Sequence, residues 1–152
     1  MFGKFIGCNH TFMSKPNPKL VFLGGACGDT TWRELVMPKL QLYKISYFNP
    51  QVKEWSESLM KAENEAKQKA DVLLFVFDSS TRGIATLVEV AFYAARGRHV
   101  VIVMQDYIGD REDEVKDVNR GRRYLKEEIK NCPNTFLFTN IEEATEYIIK
   151  NK

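Results

Sequence analysis

The sequence has almost no excess charge of either sign. Its 152 residues include 22 basic and 20 acidic side chains, which leaves a formal net charge of +2 at neutral pH. Proteins that hold nucleic acid or anionic membranes by electrostatics carry a clustered basic surface, so we expect neither kind of partner. No stretch approaches the roughly 20 apolar residues of a membrane-spanning helix, and the first residues lack the apolar core of a signal peptide.

Cysteine is scarce, and the three cysteines are widely spaced. Cys8, Cys27 and Cys132 form no Cys-x-x-Cys pair, which argues against a disulfide framework and indicates reduced thiols in a cytoplasmic protein. Cys8 and His10 would give a metal ion only two ligands, so no metal site is predicted. The sequence has no Gly-x-x-x-x-Gly-Lys-Ser/Thr loop and no complete Gly-x-Gly-x-x-Gly fingerprint, and we therefore expect no bound cofactor.

What the sequence does contain is a regular alternation of apolar runs and helical segments. Four runs, residues 20–23, 72–77, 100–104 and 135–138, are continuous and rich in β-branched or aromatic side chains. Such runs predict strands that are buried on both faces of a parallel sheet. The weaker run 45–48 predicts an edge strand.

Segments of helical character follow the strands. They are residues 31–43, 56–69, 84–96, 117–130 and 141–150. This alternation predicts an α/β fold, a flavodoxin-like open five-stranded parallel sheet of order 2-1-3-4-5 with helices on both faces. The length suits one domain, which we assign to residues 19–152. Residues 1–18, with prolines near their end, are predicted to form a flexible N-terminal arm, and the charged stretch 106–116 a loop over the active site.

In an open sheet of this order, ligands bind beyond the carboxyl ends of strands one and three. The sequence places Gly24 and Gly25 after strand one, and Asp78, Thr81 and Gly83 after strand three. The glycines can let a ligand approach the backbone, or they can simply form a tight turn. Asp78 can act as an acid at the site, or it can close an Asx turn or cap a helix.

Glu89 is the only acidic residue in the otherwise apolar segment 84–95. A carboxylate in such surroundings costs several kcal/mol unless a partner compensates for it. The structural alternative is an ion pair with Arg33, Arg82 or Arg96. The functional alternative is a nucleophile or base that shares its pocket with the acid after strand three, since glycosyl transfer requires two carboxyl groups.

Glu63 is a third candidate acid. Its helix runs antiparallel to the strands, which places Glu63 part-way toward the ligand-binding edge. The alternative is the surface position that is usual for a glutamate in a polar run such as AENEAKQKA.

Three segments resemble the nucleoside 2-deoxyribosyltransferase-like family: VFLGGACGDTTWR, YFNPQVKEW and the block 71–103. The resemblance spans residues 19–105. It is most specific in the last block, where a strand, a Thr/Gly loop, a helical glutamate and a following glycine recur together. It implies that Glu89 attacks the anomeric carbon of the substrate and forms a covalent glycosyl-enzyme.

The resemblance assigns looser roles to other residues. It implies that Glu63 helps to orient the substrate and that the site includes Phe22, Asn49 and Gln51. The family carries a second carboxylate just before the nucleophile's helix, whereas here the nearest acid is Asp78. Proton delivery to the leaving base therefore falls to Asp78 or to a water molecule.

The predicted activity is cleavage or transfer of the N-glycosidic bond of a (deoxy)nucleoside or a nucleoside 5′-phosphate. Trp32, Trp55 or Phe22 would stack on the base. The candidates for a phosphate clamp are Arg33, Arg82 and the Gly24–Gly25 amides. A hydrolase results if water replaces the leaving base, and a transferase if a second base replaces it. A non-catalytic nucleotide-binding regulatory domain of the same fold is the remaining alternative.

The helical segment 84–96 is apolar on nearly every side. The sheet covers one side of a helix only, so the rest needs either neighbouring helices or a partner chain. The family resemblance implies a site completed by a neighbouring chain, and we expect a homodimer or a higher homo-oligomer.

Overall fold

The structure is a computed structural model that describes residues 19–54 and 56–151. The expected arm, residues 1–18, lies outside the described residues, as do the candidate stacking residue Trp55 and Lys152. Strands and helices alternate along the described chain. They are β1 (Leu20–Gly25), α1 (Trp32–Leu42), β2 (Ser46–Phe48), α2 (Glu57–Lys69), β3 (Val72–Phe77), α3 (Ile84–Ala95), β4 (Val100–Met104), α4 (Glu112–Ile129), β5 (Thr135–Phe138) and α5 (Ile141–Lys150).

The strands form one parallel sheet of order β2-β1-β3-β4-β5. This topology confirms the predicted flavodoxin-like fold. Central β3 is buried along its whole length, as its continuous apolar run predicts. β2 is short and lies at one edge of the sheet, as expected.

Each face of the sheet packs against its own set of helices. Leu74 and Val76 of β3 belong to a core that includes α1 and α5. Phe75 and Phe77 belong to a second core, on the opposite face, that includes α2, α3 and α4. The alternation follows from the two-residue period of a strand. The same alternation determines which side chains can contact one another beyond the carboxyl ends of β1 and β3.

The prediction that β5 is buried on both faces is wrong. Phe136 and Leu137 are 37% and 45% exposed. β5 is the last strand of the sheet and has a neighbouring strand on one side only, so the helix layers do not cover it fully. An apolar run alone does not distinguish such an edge strand from a central one.

The predicted loop 106–116 is also shorter than expected, because α4 begins at Glu112. Three acids in the first turn of α4 favour that start through the helix dipole. The remaining loop is tied down, since the Tyr107 amide donates to Asn119 Oδ1 at 2.7 Å and the Ile108 amide donates to Ser79 O at 2.8 Å. Among the described helices, none has the length and apolar character needed to cross a membrane.

Candidate active site

The floor of the site consists of neighbouring side chains of β1 and β3. The Phe22 ring lies 6.2 Å from the Phe75 ring, between centroids, and stacks on Phe48 of β2 at 5.7 Å. A Cβ atom at Gly24 would lie 2.4 Å from the Phe75 ring, so only glycine leaves room for that ring. The role of Gly24 that the structure supports is therefore packing of the floor.

Helices α2 and α3 form the walls above this floor. Glu63 and Lys67 lie one turn apart on α2, and Glu89 lies on α3. The Lys67 ammonium donates to Glu89 Oε1 and forms an ion pair with it. The Lys67 side chain is 6% exposed and the Glu89 side chain 27% exposed. Solvent therefore reaches the glutamate of this ion pair but hardly reaches the lysine.

Lys67 is the partner of Glu89, in place of the three arginines considered from the sequence. Those arginines are engaged elsewhere in the chain. The sequence analysis missed Lys67 altogether. The available signal was its i, i+4 spacing from Glu63, which puts both residues on one face of α2.

Glu63 completes the charged cluster. Burial raises the pKa of Glu63 above that of an ordinary glutamate, while nearby Lys67 lowers this pKa and nearby Glu89 raises it. Glu63 is half-buried and lies within electrostatic reach of both residues, which favours a place in the cluster over the surface position considered from the sequence. A carboxyl group that keeps its proton to higher pH has the property needed by a proton donor.

Aromatic rings surround the lysine of this cluster. Lys67 Nζ lies 5.6 Å from the centroid of the Phe22 ring and 6.0 Å from that of Tyr93. The Tyr93 ring in turn lies 6.4 Å from the Phe75 ring. Cation–π attraction adds to the ion pair in holding the ammonium group in place. The floor and walls therefore fix Lys67 from several sides.

Asp78 does not join this cluster. It follows Phe77, so it faces the α1 and α5 side of the sheet, where it lines a cavity of about 250 Å³ with Trp32 and Gln105. Its Oδ1 atom accepts from the Ser80 amide at 2.8 Å, the Ser80 hydroxyl at 2.7 Å and the Thr81 amide at 2.9 Å. These bonds form an Asx turn, the structural alternative considered from the sequence.

A second group, from α4, also fixes the β3–α3 loop. Arg122 of α4, which is 1% exposed, donates to Asp78 O at 3.0 Å and to Thr81 O at 2.5 Å. Gly83 begins α3 with a left-handed φ of 65°, a conformation that favours glycine. Thr81 and Gly83 therefore shape the loop, and no contact places them at Glu89.

Arg33 organises the β1–α1 loop. Its Nε and both Nη atoms donate to three main-chain carbonyls, those of Leu23, Gly25 and Ala26, and to the Thr30 hydroxyl. Each of its five N–H groups has a partner, and the residue is fully buried. The expected role of Arg33 in binding a phosphate is therefore not supported.

Trp32 and Gly25 also have packing roles. Trp32 is 7% exposed and belongs to the core between the sheet and α1, on the opposite face of the sheet from α3, so stacking of its ring on a base held at Glu89 is not supported. Gly25 has a φ of 135°, and a Cβ atom there would lie 2.7 Å from Val76 O. Gly25 therefore permits close approach of β1 to β3.

Asn49 and Gln51 connect two loops at the carboxyl edge of the sheet. Gln51 Nε2 donates to Gly28 O at 2.8 Å and to Thr30 O at 3.1 Å. Asn49 Oδ1 accepts from the Gln51 amide at 3.0 Å. These bonds join the segment after β2 to the segment after β1, so the role of both residues that the structure supports is to hold the two loops together.

Cys27 lies in the same region as a free, half-buried thiol. Burial raises the pKa of Cys27, Arg33 lowers it, and Glu63 and Glu89 raise it. The raised pKa keeps this group a thiol, so it is a poor nucleophile. No cluster of three or more histidine, cysteine or acidic residues suited to a metal ion occurs in 19–54 or 56–151.

Comparison with known proteins identifies the family and the fold of the chain. A family model described as "Nucleoside 2-deoxyribosyltransferase like" matches residues 18–107, which confirms the resemblance seen in the sequence. A crystal structure of a conserved protein from Enterococcus faecalis V583 is similar, with a TM-score of 0.63 and 15% identity over 89% of this chain and 99% of that chain. At this identity the likeness shows the fold alone. No curated protein matches the chain.

Proposed function

The chain belongs to the nucleoside 2-deoxyribosyltransferase-like family, and on that premise we propose that it cleaves or transfers the N-glycosidic bond of a (deoxy)nucleoside or a nucleoside 5′-phosphate. The sugar is held during the reaction as a covalent ester of Glu89. The observation that carries the proposal is Glu89 itself, a half-buried carboxylate beside the switch point of the sheet, open to solvent and held by a buried lysine.

The substrate chemistry explains the need for a carboxylate at this place. As the base departs, the sugar becomes oxocarbenium-like, and an anion beneath the ring stabilises and then captures the cation. The half-buried Tyr93 ring beside Lys67 provides an apolar wall that limits the access of water. The Phe22 ring is 1% exposed, so its expected stacking on the base is not supported and its role is to pack beneath Lys67. Water or a second base then attacks the anomeric carbon, and the product is a free sugar or a new nucleoside.

The departing base also needs a proton. Glu63 is the favoured donor, because its pKa is raised by burial and it belongs to the same cluster as Glu89. Asp78 was the donor considered from the sequence, and its position on the opposite face of the sheet argues against that role. Two acids in one cluster suit the two roles of glycosyl transfer, which are those of nucleophile and proton donor.

A nucleoside without a phosphate is the substrate class that we favour. Every N–H group of Arg33 has a partner within the chain, which removes the strongest candidate for a phosphate clamp. Arg82, whose side chain is 62% exposed, remains as a candidate for a 5′-phosphate.

A non-catalytic nucleotide-binding domain is the second candidate function. The observation that favours it is again the ion pair of Lys67 and Glu89, because a carboxylate neutralised by lysine can serve the fold alone. The proton donor candidate beside Glu89 favours the enzyme.

The test is to incubate the protein with a panel of deoxynucleosides and deoxynucleotides, with and without a free acceptor base, and to separate the products by chromatography. Base released without an acceptor identifies a hydrolase, and base exchanged only with an acceptor identifies a transferase. Nucleotide binding without either reaction would establish the non-catalytic alternative and contradict the proposal.

A further inference from the structure

We propose that Lys67 is a positioning residue that directs Glu89 to react through Oε2 and that stabilises the Glu89 carboxylate when the sugar leaves it. This inference rests on the proposed function. It goes beyond that function by assigning a role to a residue of α2 that neither the sequence motif nor the family match singles out.

The bonding of the two carboxylate oxygens of Glu89 is unequal. Oε1 accepts from the Lys67 ammonium, whereas Oε2 has no hydrogen-bond partner within residues 19–54 and 56–151. Oε2 is also not among the buried unpaired atoms of that part of the chain, so it is accessible from the open side of the pair. Lys67 therefore anchors one oxygen and leaves the other free to react.

The Lys67 side chain is itself held in a fixed position, so it can orient the Glu89 carboxylate. Two aromatic rings lie within 5.6 Å and 6.0 Å of its Nζ atom. The end of α2 is fixed because Arg98 donates to Lys67 O at 2.9 Å and to Ala70 O at 2.7 Å. Exposed ion pairs are weak partly because their long side chains lose conformational freedom when they pair. The buried Lys67 side chain has already lost this freedom, so the direction of its hydrogen bond to Glu89 is well defined.

The charge changes of the reaction give Lys67 a different effect in each step. In the first step an Oε2 lone pair forms the C1′–Oε2 bond, the C1′–N bond breaks, and its electron pair leaves with the base, which takes a proton from Glu63 or water. Oε1 then becomes the ester carbonyl oxygen and keeps its hydrogen bond to Lys67. In the second step the acceptor attacks C1′, the C1′–Oε2 bond breaks, and the negative charge returns to Glu89. The acceptor's proton passes to Glu63 or water.

The second step therefore depends on Lys67 more strongly than the first does. A carboxylate leaves more readily when a cation already lies beside the oxygen that will share its charge. In the first step the same cation stabilises the starting carboxylate, so its benefit there is limited to orientation. Removal of the ammonium group should slow release of the sugar and make the glycosyl-enzyme accumulate.

The experiment compares wild type with Lys67→Met, Lys67→Arg and the matched control Lys69→Met, which makes the same change at an exposed position of the same helix. Wild type is first assayed for base release, and the best substrate of the panel is then used throughout. Rapid-mixing kinetics separates the first turnover from the steady state, and intact-protein mass spectrometry detects the adduct. Circular dichroism checks the fold, and Lys67→Gln replaces Lys67→Met if the latter unfolds.

We expect Lys67→Met to release one equivalent of base in a burst, to lose about 100-fold in steady-state kcat with a smaller change in KM, and to carry the sugar adduct. Lys67→Arg should restore part of the loss, and Lys69→Met should match wild type. A folded Lys67→Met or Lys67→Gln that keeps wild-type kcat overturns the inference, as does one that loses activity without an adduct and without rescue by arginine. Absence of base release from wild type instead overturns the proposed function, and the inference falls with it.

Discussion

Asp78 and Glu89 flank the same β3–α3 loop but face opposite sides of the sheet. Asp78 lines the cavity beside Trp32 on the α1 and α5 side, whereas Glu89 projects from α3 toward Lys67 of α2. Proximity in sequence therefore does not place two acids in one pocket. The acid that accompanies Glu89 is Glu63, from a different helix.

Asp78→Ala should lower stability and leave the chemistry largely intact. The change removes three hydrogen bonds accepted by Oδ1, and we expect a loss of about 1–2 kcal/mol in the free energy of unfolding. The measurement is urea denaturation together with kcat on the best substrate. A fall in kcat as large as that of Glu63→Gln, with stability unchanged, would return the role of proton donor to Asp78.

Glu63→Gln should reduce turnover and alter its dependence on pH. Because burial raises the pKa of Glu63 above the ordinary 4.5, its protonated form persists to higher pH, and activity that needs this proton declines as pH rises through that pKa. The variant should lose this decline along with most of its activity. The same profile for Glu63→Gln and wild type would contradict the assignment, and Glu65→Gln, at an exposed position of α2, is the matched control.

The pH dependence of stability tests the raised pKa of Glu63 independently of activity. A carboxyl group whose pKa is raised on folding contributes stability below its unfolded pKa, and this contribution is lost as pH rises through its folded pKa. The melting temperature of Glu63→Gln relative to wild type should therefore be higher at neutral pH than at pH values below 4.5. A relative melting temperature that does not change between these conditions would show that Glu63 is not perturbed by folding.

Much of the fold could be predicted from the sequence, because continuous apolar runs and helical segments determine the order of a doubly wound sheet. The site was harder to predict. The pairing of Lys67 with Glu89 depends on how α2 and α3 are rotated against the sheet, which periodicity does not specify. The hydrogen bonds of Arg33 to main-chain carbonyls depend on the conformation of the β1–α1 loop, which the sequence pattern does not specify. The exposure of Phe136 depends on its place at the sheet edge.

Gly24→Ala should damage the floor of the site. A methyl group there would lie 2.4 Å from the Phe75 ring, and such overpacking costs about 1–3 kcal/mol. Urea denaturation should show this loss, and activity should fall because the Phe22 ring next to it must also shift. Gly28→Ala is the control, since a methyl group at Gly28 meets nothing within 4 Å. Equal stability of the two variants would contradict the packing role.

The chain should form a homodimer through α3. Ile84, Val88 and Phe92 lie along one side of this helix and are 55%, 68% and 47% exposed, so the neighbouring helices do not cover that side. Light scattering at micromolar concentration should give twice the chain mass, and Val88→Glu should shift the protein toward monomer. Leu42→Glu, at an exposed apolar position of α1, should not. A wild-type mass near 17.6 kDa would rule out the shared interface.

The most direct test of the central claim is base release by wild type and by Glu89→Gln on the same substrate, with trapping of the covalent adduct. We predict that wild type releases base and carries a glycosyl group on Glu89, located by peptide mass spectrometry. Glu89→Gln should remain folded, because glutamine still accepts a hydrogen bond from Lys67, and should release no base above background. Near wild-type base release by a folded Glu89→Gln would contradict the claim that Glu89 is the nucleophile.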